Sequence, residues 1–203
     1  MMMHGRSIDG EMPECLVVPG LDGSGPDHWQ TLWEHQRNGC RRVELGNWND
    51  PALRSWVARL DRAIGDTARP PILVAHSLGC LAVAWWAEHA GERASRQVAG
   101  ALLVAPPDVD RADRDPRLAR FAPTPARPLP FAASLVASRN DPYATIDRSR
   151  VMAETWGARL IDLGEAGHIN AQSKLGAWAE GQRLLDELVA VSDAPTCRRQ
   201  AAR

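Results

Sequence analysis

Six short apolar runs, separated by stretches of helical spacing, constrain this chain more than any other feature. The runs are Cys15–Val18, Arg42–Leu45, Ile72–Ala75, Gly100–Ala105, Ala133–Ala137 and Arg159–Leu163. Several are apolar at almost every position, as parallel strands covered on both faces must be. The stretches between them have readable starts and stops. Asp50 before Pro51 predicts a cap and a first helical residue, after which Leu53, Trp56, Val57, Leu60 and Ile64 share one face. Gly25-Pro26-Asp27 opens a helix with Trp29, Leu32 and Trp33 as its stripe, and Asp147 one that carries Val151, Met152 and Trp156 and stops at Gly157. A last helix runs from Lys174 to Val191. Such alternation predicts an α/β fold, a three-layer α/β/α sandwich around about six mostly parallel strands.

Length and charge narrow the field further. The chain has 203 residues, 44% hydrophobic and 24% charged, which suits one globular domain over 14–191 with disordered tails at 1–13 and 192–203. A net charge of -1 leaves no basic footprint for nucleic acid. The four cysteines, Cys15, Cys40, Cys80 and Cys197, form no CxxC and have no ligand-like spacing with histidine. No secretory leader or membrane-length apolar run is present, so the expectation is a cytoplasmic protein with reduced thiols. Nothing fixes an oligomeric state. Seven prolines (Pro106, Pro107, Pro116, Pro123, Pro125, Pro128 and Pro130) interrupt the rhythm between the fourth and fifth runs. They forbid a long helix there, so residues 108–130 read either as a lid or pocket wall beside a ligand site, or as a plain surface loop.

The strongest chemical signal is Ile72-Leu73-Val74-Ala75-His76-Ser77-Leu78-Gly79-Cys80, an apolar strand running through His-Ser-Leu-Gly into a helix. A strand–turn–helix of this kind is the setting of a nucleophile elbow, in which small residues two positions either side of the serine let strand and helix pass. Gly79 is in place, and Ala75 stands where glycine is usual. A serine needs a base, and the base an orienting acid, which in α/β-hydrolases follow in the order Ser, Asp or Glu, His. Ser138-Arg139-Asn140-Asp141-Pro142-Tyr143 supplies Asp141 after the fifth strand, and Gly164-Glu165-Ala166-Gly167-His168-Ile169-Asn170 supplies His168 after the sixth. Asp108 is the reserve acid. His76, His28, His35 and His89 compete for the base role, but His76 as neighbour of the serine in an elbow points elsewhere, and His35 and His89 read as solvent-facing.

The loop Pro19-Gly20-Leu21-Asp22-Gly23-Ser24-Gly25 has the phase of an oxyanion loop. Leu21, with Asp22 next, is the expected first N–H donor, and Leu78 the second. The glycines do not spell G-x-G-x-x-G and no GK[ST] occurs, which speaks against a phosphate or dinucleotide loop. His28 and Trp29, opening the next helix, either reach the pocket rim or simply cap and pack it.

Taken together, PGLDGSGPDHWQ, ILVAHSLGC, SRNDPY and GEAGHIN resemble the small α/β-hydrolases related to retinoblastoma-binding protein nine and the bacterial YdeN proteins, over about Cys15 to Val191. The resemblance implies a minimal α/β-hydrolase fold with strand order 2-1-3-4-5-6, a serine-hydrolase triad at Ser77, Asp141 and His168, and no cofactor or metal. It implies a small-molecule ester as substrate, by way of an acyl-enzyme. No LxCxE motif is present, so the retinoblastoma-binding label does not carry over. Two rivals remain at this level: a hydrolase-like scaffold that binds a protein partner with slight or no catalysis, and a flavodoxin-like phosphoryl or nucleotide binder, for which an acidic metal cluster or phosphate loop is missing.

Overall fold

The computed structural model describes residues 13–111 and 115–193. Most of the expected tails, 1–12 and 194–203, therefore lies outside the described residues. Six strands, β1 (Cys15–Val18), β2 (Cys40–Arg42), β3 (Ile72–His76), β4 (Gly100–Val104), β5 (Ala132–Ala137) and β6 (Arg159–Asp162), form one sheet in the order β2-β1-β3-β4-β5-β6. Every pairing is parallel. Val18 pairs with Ala75, His76 with Val104 and Val104 with Val136, so these strands end together and their following loops share one edge.

Successive side chains on a strand point to opposite faces, and the core divides accordingly. On one face Leu16, Val18, Leu73, Ala75, Leu103 and Leu135 meet α2 (Leu53–Gly65), α3 (Leu78–Ala90) and α6 (Ile146–Trp156). On the other, Cys15, Val17, Val74, Leu102, Val104 and Val136 meet α1 (Trp29–Gln36) and α7 (Ala179–Asp193). α3 is apolar nearly all round because it is buried among α2, the sheet and the proline-rich segment.

The boundaries depart from the sequence reading where local polar chemistry outweighs apolar pattern. β2 is the polar Cys-Arg-Arg triplet rather than residues 42–45, since an edge strand has only one neighbour to satisfy. Val43 still donates its N–H to the Val17 carbonyl, and Val43 and Leu45 are buried just past the strand. α2 begins at Leu53, because the Asn47 side chain takes the N–H groups of Asn49 and Asp50 and turns the chain first. Thr145, not Asp147, caps α6, while Gly157 ends it in the left-handed region as expected. The final helix starts at Ala179, five residues later than predicted, after positive φ at Lys174, Gly176 and Trp178, and it reaches Asp193.

The proline-rich segment is built into the molecule. A single-turn helix, α5 (Pro116–Ala119), is capped by Asp115. Leu118, Phe121 and Leu129 are buried in the core shared with α2, α3 and α6. The Trp85 indole donates to the Phe121 carbonyl (2.8 Å), and the Trp156 indole to that of Pro125 (2.9 Å). A short α4 (Ala94–Gln97) leads back into β4.

Candidate active site

The site assembles at the carboxyl edge of β1, β3, β5 and β6. Between β3 and α3 the chain turns through one residue, Ser77, held at φ +53° and ψ −127°. That left-handed conformation is costly for a non-glycine residue and exists only where the surroundings impose it. Two glycines make room for it. A Cβ on Gly79 would lie 2.3 Å from the Val18 carbonyl oxygen and 2.6 Å from that of Pro19; one on Gly20 would lie 2.7 Å from Ser77 Cβ and 3.0 Å from Leu78 N. Ala75 is fully buried, so its methyl group fits where glycine is usual.

Ser77 Oγ stands 2.9 Å from His168 Nε2. His168 Nδ1 lies 3.0 and 2.9 Å from the two carboxylate oxygens of Asp141. A carboxylate only accepts, so Nδ1 carries the ring proton and Nε2 accepts from the serine hydroxyl. The Asp141 and His168 side chains are 4% and 9% exposed, a setting in which water screens the pair little. Asp141 also accepts the Tyr143 N–H at 2.8 Å, so the residue that initiates the turn is the one that meets the imidazole.

The β5 loop holds the β6 loop in place. The Arg139 N–H donates to the Gly164 carbonyl, Ala166 N–H to Ser138 Oγ and Gly167 N–H to Asn140 Oδ1. Beyond His168, Ile169 sits at φ +49°, an outlier for a β-branched residue. Two buried side chains clamp the carbonyls on either side of that strained link. His76 Nε2 donates to the His168 carbonyl (2.9 Å), and the Trp29 indole to the Ile169 carbonyl (2.8 Å).

The competing residues fall elsewhere. His35 and His89 are exposed. Asp108 pairs with Arg148 at 3.1 Å. His28 caps α1, its Nδ1 accepting the Gln30 N–H. It packs 4.7 Å from His76, whose ring lies 4.9 Å from that of His168. Burial lowers His28 to a pKa of about 4, with Arg42 and His168 acting in the same direction. Burial likewise holds His76 well below the ordinary imidazole range, with His168 and His28 adding to it. Both stay neutral near pH 7. Tyr143 also packs on His168, ring to ring at 4.5 Å.

Of the expected N–H donors, Asp22 is engaged, donating to the Trp48 carbonyl at 3.0 Å. The N–H groups of Leu21 and Leu78 have no main-chain partner among the described residues. Arg117 anchors this loop through Asp22 (2.9 Å), which ties the proline-rich segment to it. Sequence reasoning missed the clamp by His76 and Trp29, the Ser138–Asn140 cradle and the fully buried Gln30. The Gln30 amide donates to the Val74 carbonyl (3.0 Å) and accepts from Ser24 Oγ (2.7 Å). Their only sequence signal is polarity next to an apolar stripe.

With this arrangement in view, comparison with known proteins defines the class. Residues 15–187 match the family described as serine hydrolase, and the chain belongs to that family. A YdeN-like hydrolase from Pectobacterium atrosepticum is similar at 33% identity, over 89% of this chain and 92% of its own, with a TM-score of 0.78. The ydeN gene product of B. subtilis shares the fold at 21% identity, over 88% and 99% of the two chains, with a TM-score of 0.71. A monoacylglycerol lipase of Paleococcus ferrophilus shares it at 15% identity, over 88% and 96%, with a TM-score of 0.64. No curated protein matches the sequence. The fold is a minimal α/β-hydrolase fold. Among the described residues no helix is long and apolar enough to cross a membrane.

Proposed function

We propose that the protein is a serine esterase that cleaves small acyl esters through a Ser77–His168–Asp141 triad. The observation that carries this reading is the unbroken chain of contacts from Ser77 Oγ through His168 to Asp141, at 2.9 to 3.0 Å, beginning on a serine at φ +53°. Ser77 Oγ attacks the ester carbonyl carbon as His168 Nε2 takes its proton. The resulting oxyanion receives hydrogen bonds from the N–H groups of Leu21 and Leu78, at the positive end of α3. Collapse expels the alcohol, to which His168 returns the proton, leaving Ser77 acylated. Water, deprotonated by His168, then attacks the acyl carbon and releases the carboxylic acid and free Ser77. Asp141 keeps the Nδ1 proton in place and balances the imidazolium that forms at each step.

Small acyl groups fit the surroundings best. Ser77 is 8% exposed, the Phe121 and Pro125 carbonyls are held by the Trp85 and Trp156 indoles, and Leu21, next to the glycine packed against Ser77, adds partly buried apolar surface. A 550 Å³ groove between α2 and α3, lined by Leu53, Trp85 and Arg93 among others, includes no member of the triad.

The test is labelling of the folded chain with a fluorophosphonate, followed by a series of p-nitrophenyl esters. Stoichiometric labelling at Ser77 is expected. Ser77→Ala is expected to lose labelling and to lower turnover about 10⁴-fold or more. Turnover should fall from acetate and butyrate to long-chain esters. Folded protein that resists labelling overturns the triad, and activity that climbs with chain length overturns the small-acyl assignment.

A further inference from the structure

At the opposite end of the sheet from Ser77 lies a second pair of reactive groups. Cys15 opens β1 and Cys40 opens β2, and the two face each other directly in the parallel ladder. Both side chains belong to the same core cluster, on the face of the sheet packed by α1 and α7. Directly paired residues on neighbouring parallel strands stand about 4.8 Å apart, inside the ~4.4–6.8 Å between Cα atoms that a disulfide spans. Cys15 lines a cavity of 270 Å³ together with Pro13, Arg37 and Leu185, and Cys40 is 9% exposed. A small reagent therefore has a route to the pair. Cys80 shows the contrast: it is fully buried in the core, its thiol is pushed up by burial and it donates to the Val104 carbonyl.

We propose that Cys15 and Cys40 form a dithiol modification site, which low-molecular-weight disulfides oxidise to an intramolecular disulfide. The two thiols divide the chemistry between them. The neighbouring Cys15 lowers the Cys40 thiol, and Arg37 acts in the same direction against the effects of burial and Glu34. Cys40 and burial raise Cys15 well above the ordinary thiol range. Cys40, 9% exposed against 4% for Cys15, is the attacking thiolate and Cys15 the resolving thiol. Cys40 Sγ attacks one sulfur of RSSR, forming a mixed disulfide and expelling RS⁻, which takes the proton Cys40 has lost. Cys15, losing its own proton, attacks Cys40 Sγ and expels the second RS⁻, which is protonated in turn. Overall, two protein thiols and RSSR give one protein disulfide and two RSH. The protein loses two electrons and two protons, and the reagent gains them. The new bond closes the loop from 15 to 40, which includes Gly20, Leu21 and all of α1.

The experiment treats the folded chain with glutathione disulfide, alkylates the remaining thiols and maps peptides by mass spectrometry with and without dithiothreitol. The expected product is a Cys15–Cys40 cross-linked pair, two hydrogens lighter than the dithiol, unalkylated and restored by dithiothreitol. Cys15→Ser should stop at glutathione on Cys40, and Cys40→Ser should slow modification of Cys15 by about tenfold or more. The proposal is overturned if both residues stay fully alkylatable in the treated wild-type chain, or if glutathione accumulates on Cys197 alone. No turnover is measured, so either result leaves the esterase reading to its own test.

Discussion

Ser77 keeps its strained backbone because the residues around it leave it no relaxed alternative, and two of those residues lack a side chain. At Gly79 the atoms a Cβ would strike are the carbonyl oxygens of Val18 and Pro19, fixed in and just after β1. At Gly20 they are Ser77 Cβ and the His76 carbonyl. Neither set is the far end of a flexible side chain. Gly79→Ala is therefore expected to destabilise the protein by about 2–4 kcal/mol, as overpacking against backbone does at its upper end, measured by urea unfolding. Gly20→Ala intrudes beside the Leu78 N–H and should lower kcat about 10²-fold, a loss seen in burst kinetics with p-nitrophenyl acetate. Trp29 acts one step further out. Trp29→Phe retains most of the ring's packing but strips the Ile169 carbonyl of its donor, at a cost of about 1–3 kcal/mol. If that bond positions His168, kcat should fall about tenfold or more with KM nearly unchanged; unchanged kcat would make Trp29 purely structural.

At the scale of elements, the proline-rich stretch shows most clearly what the sequence revealed and what it hid. Seven prolines correctly forbade a long helix, but nothing in their spacing announced that Phe121 would be fully buried against Trp56, ring to ring at 5.3 Å. A detached loop would tolerate loss of that ring. Phe121→Ala is instead expected to cost about 3–5 kcal/mol, visible as a shift in the urea midpoint with little change in slope. The same contrast runs through the other elements. The central strands β1, β3, β4 and β5 are legible because both faces are buried, which forces apolar runs. β2 is not, because an edge strand can be Cys-Arg-Arg when Arg42 finds Glu34, Thr31 and the Ser24 carbonyl. The loops with Asp141 and His168 are legible from their order after β5 and β6. The clamp by His76 and Trp29 is not, because it joins residues 92 and 140 positions apart through main-chain carbonyls, and no local pattern encodes a main-chain partner.

For the molecule as a whole, the buried histidines couple folding to acidity. In the folded state burial holds His28 neutral down to a pKa of about 4, against 6.5 for an exposed imidazole, and His76 is lowered in the same sense. The unfolded chain thus takes up protons first as pH falls. Stability from these groups is fully present above 6.5 and is lost as pH drops toward the folded values, by about 1.4 kcal/mol per pH unit for each histidine. His28 alone accounts for about 3 kcal/mol between pH 6.5 and 4. Asp115, held low by hydrogen bonds from Arg117, and Asp162, held low by the Gly164 N–H, act only beneath their ordinary 3.8 and leave this window to the histidines. His28→Asn keeps a capping oxygen for α1 but removes one titrating group. Urea unfolding at intervals from pH 7.5 to 4.5 should show a steep decline in the wild-type chain and a clearly shallower one in the variant. Equal slopes would mean that His28 takes up its proton in the folded protein as readily as in the unfolded one, and that its buried place beside His76 and His168 costs it nothing when charged.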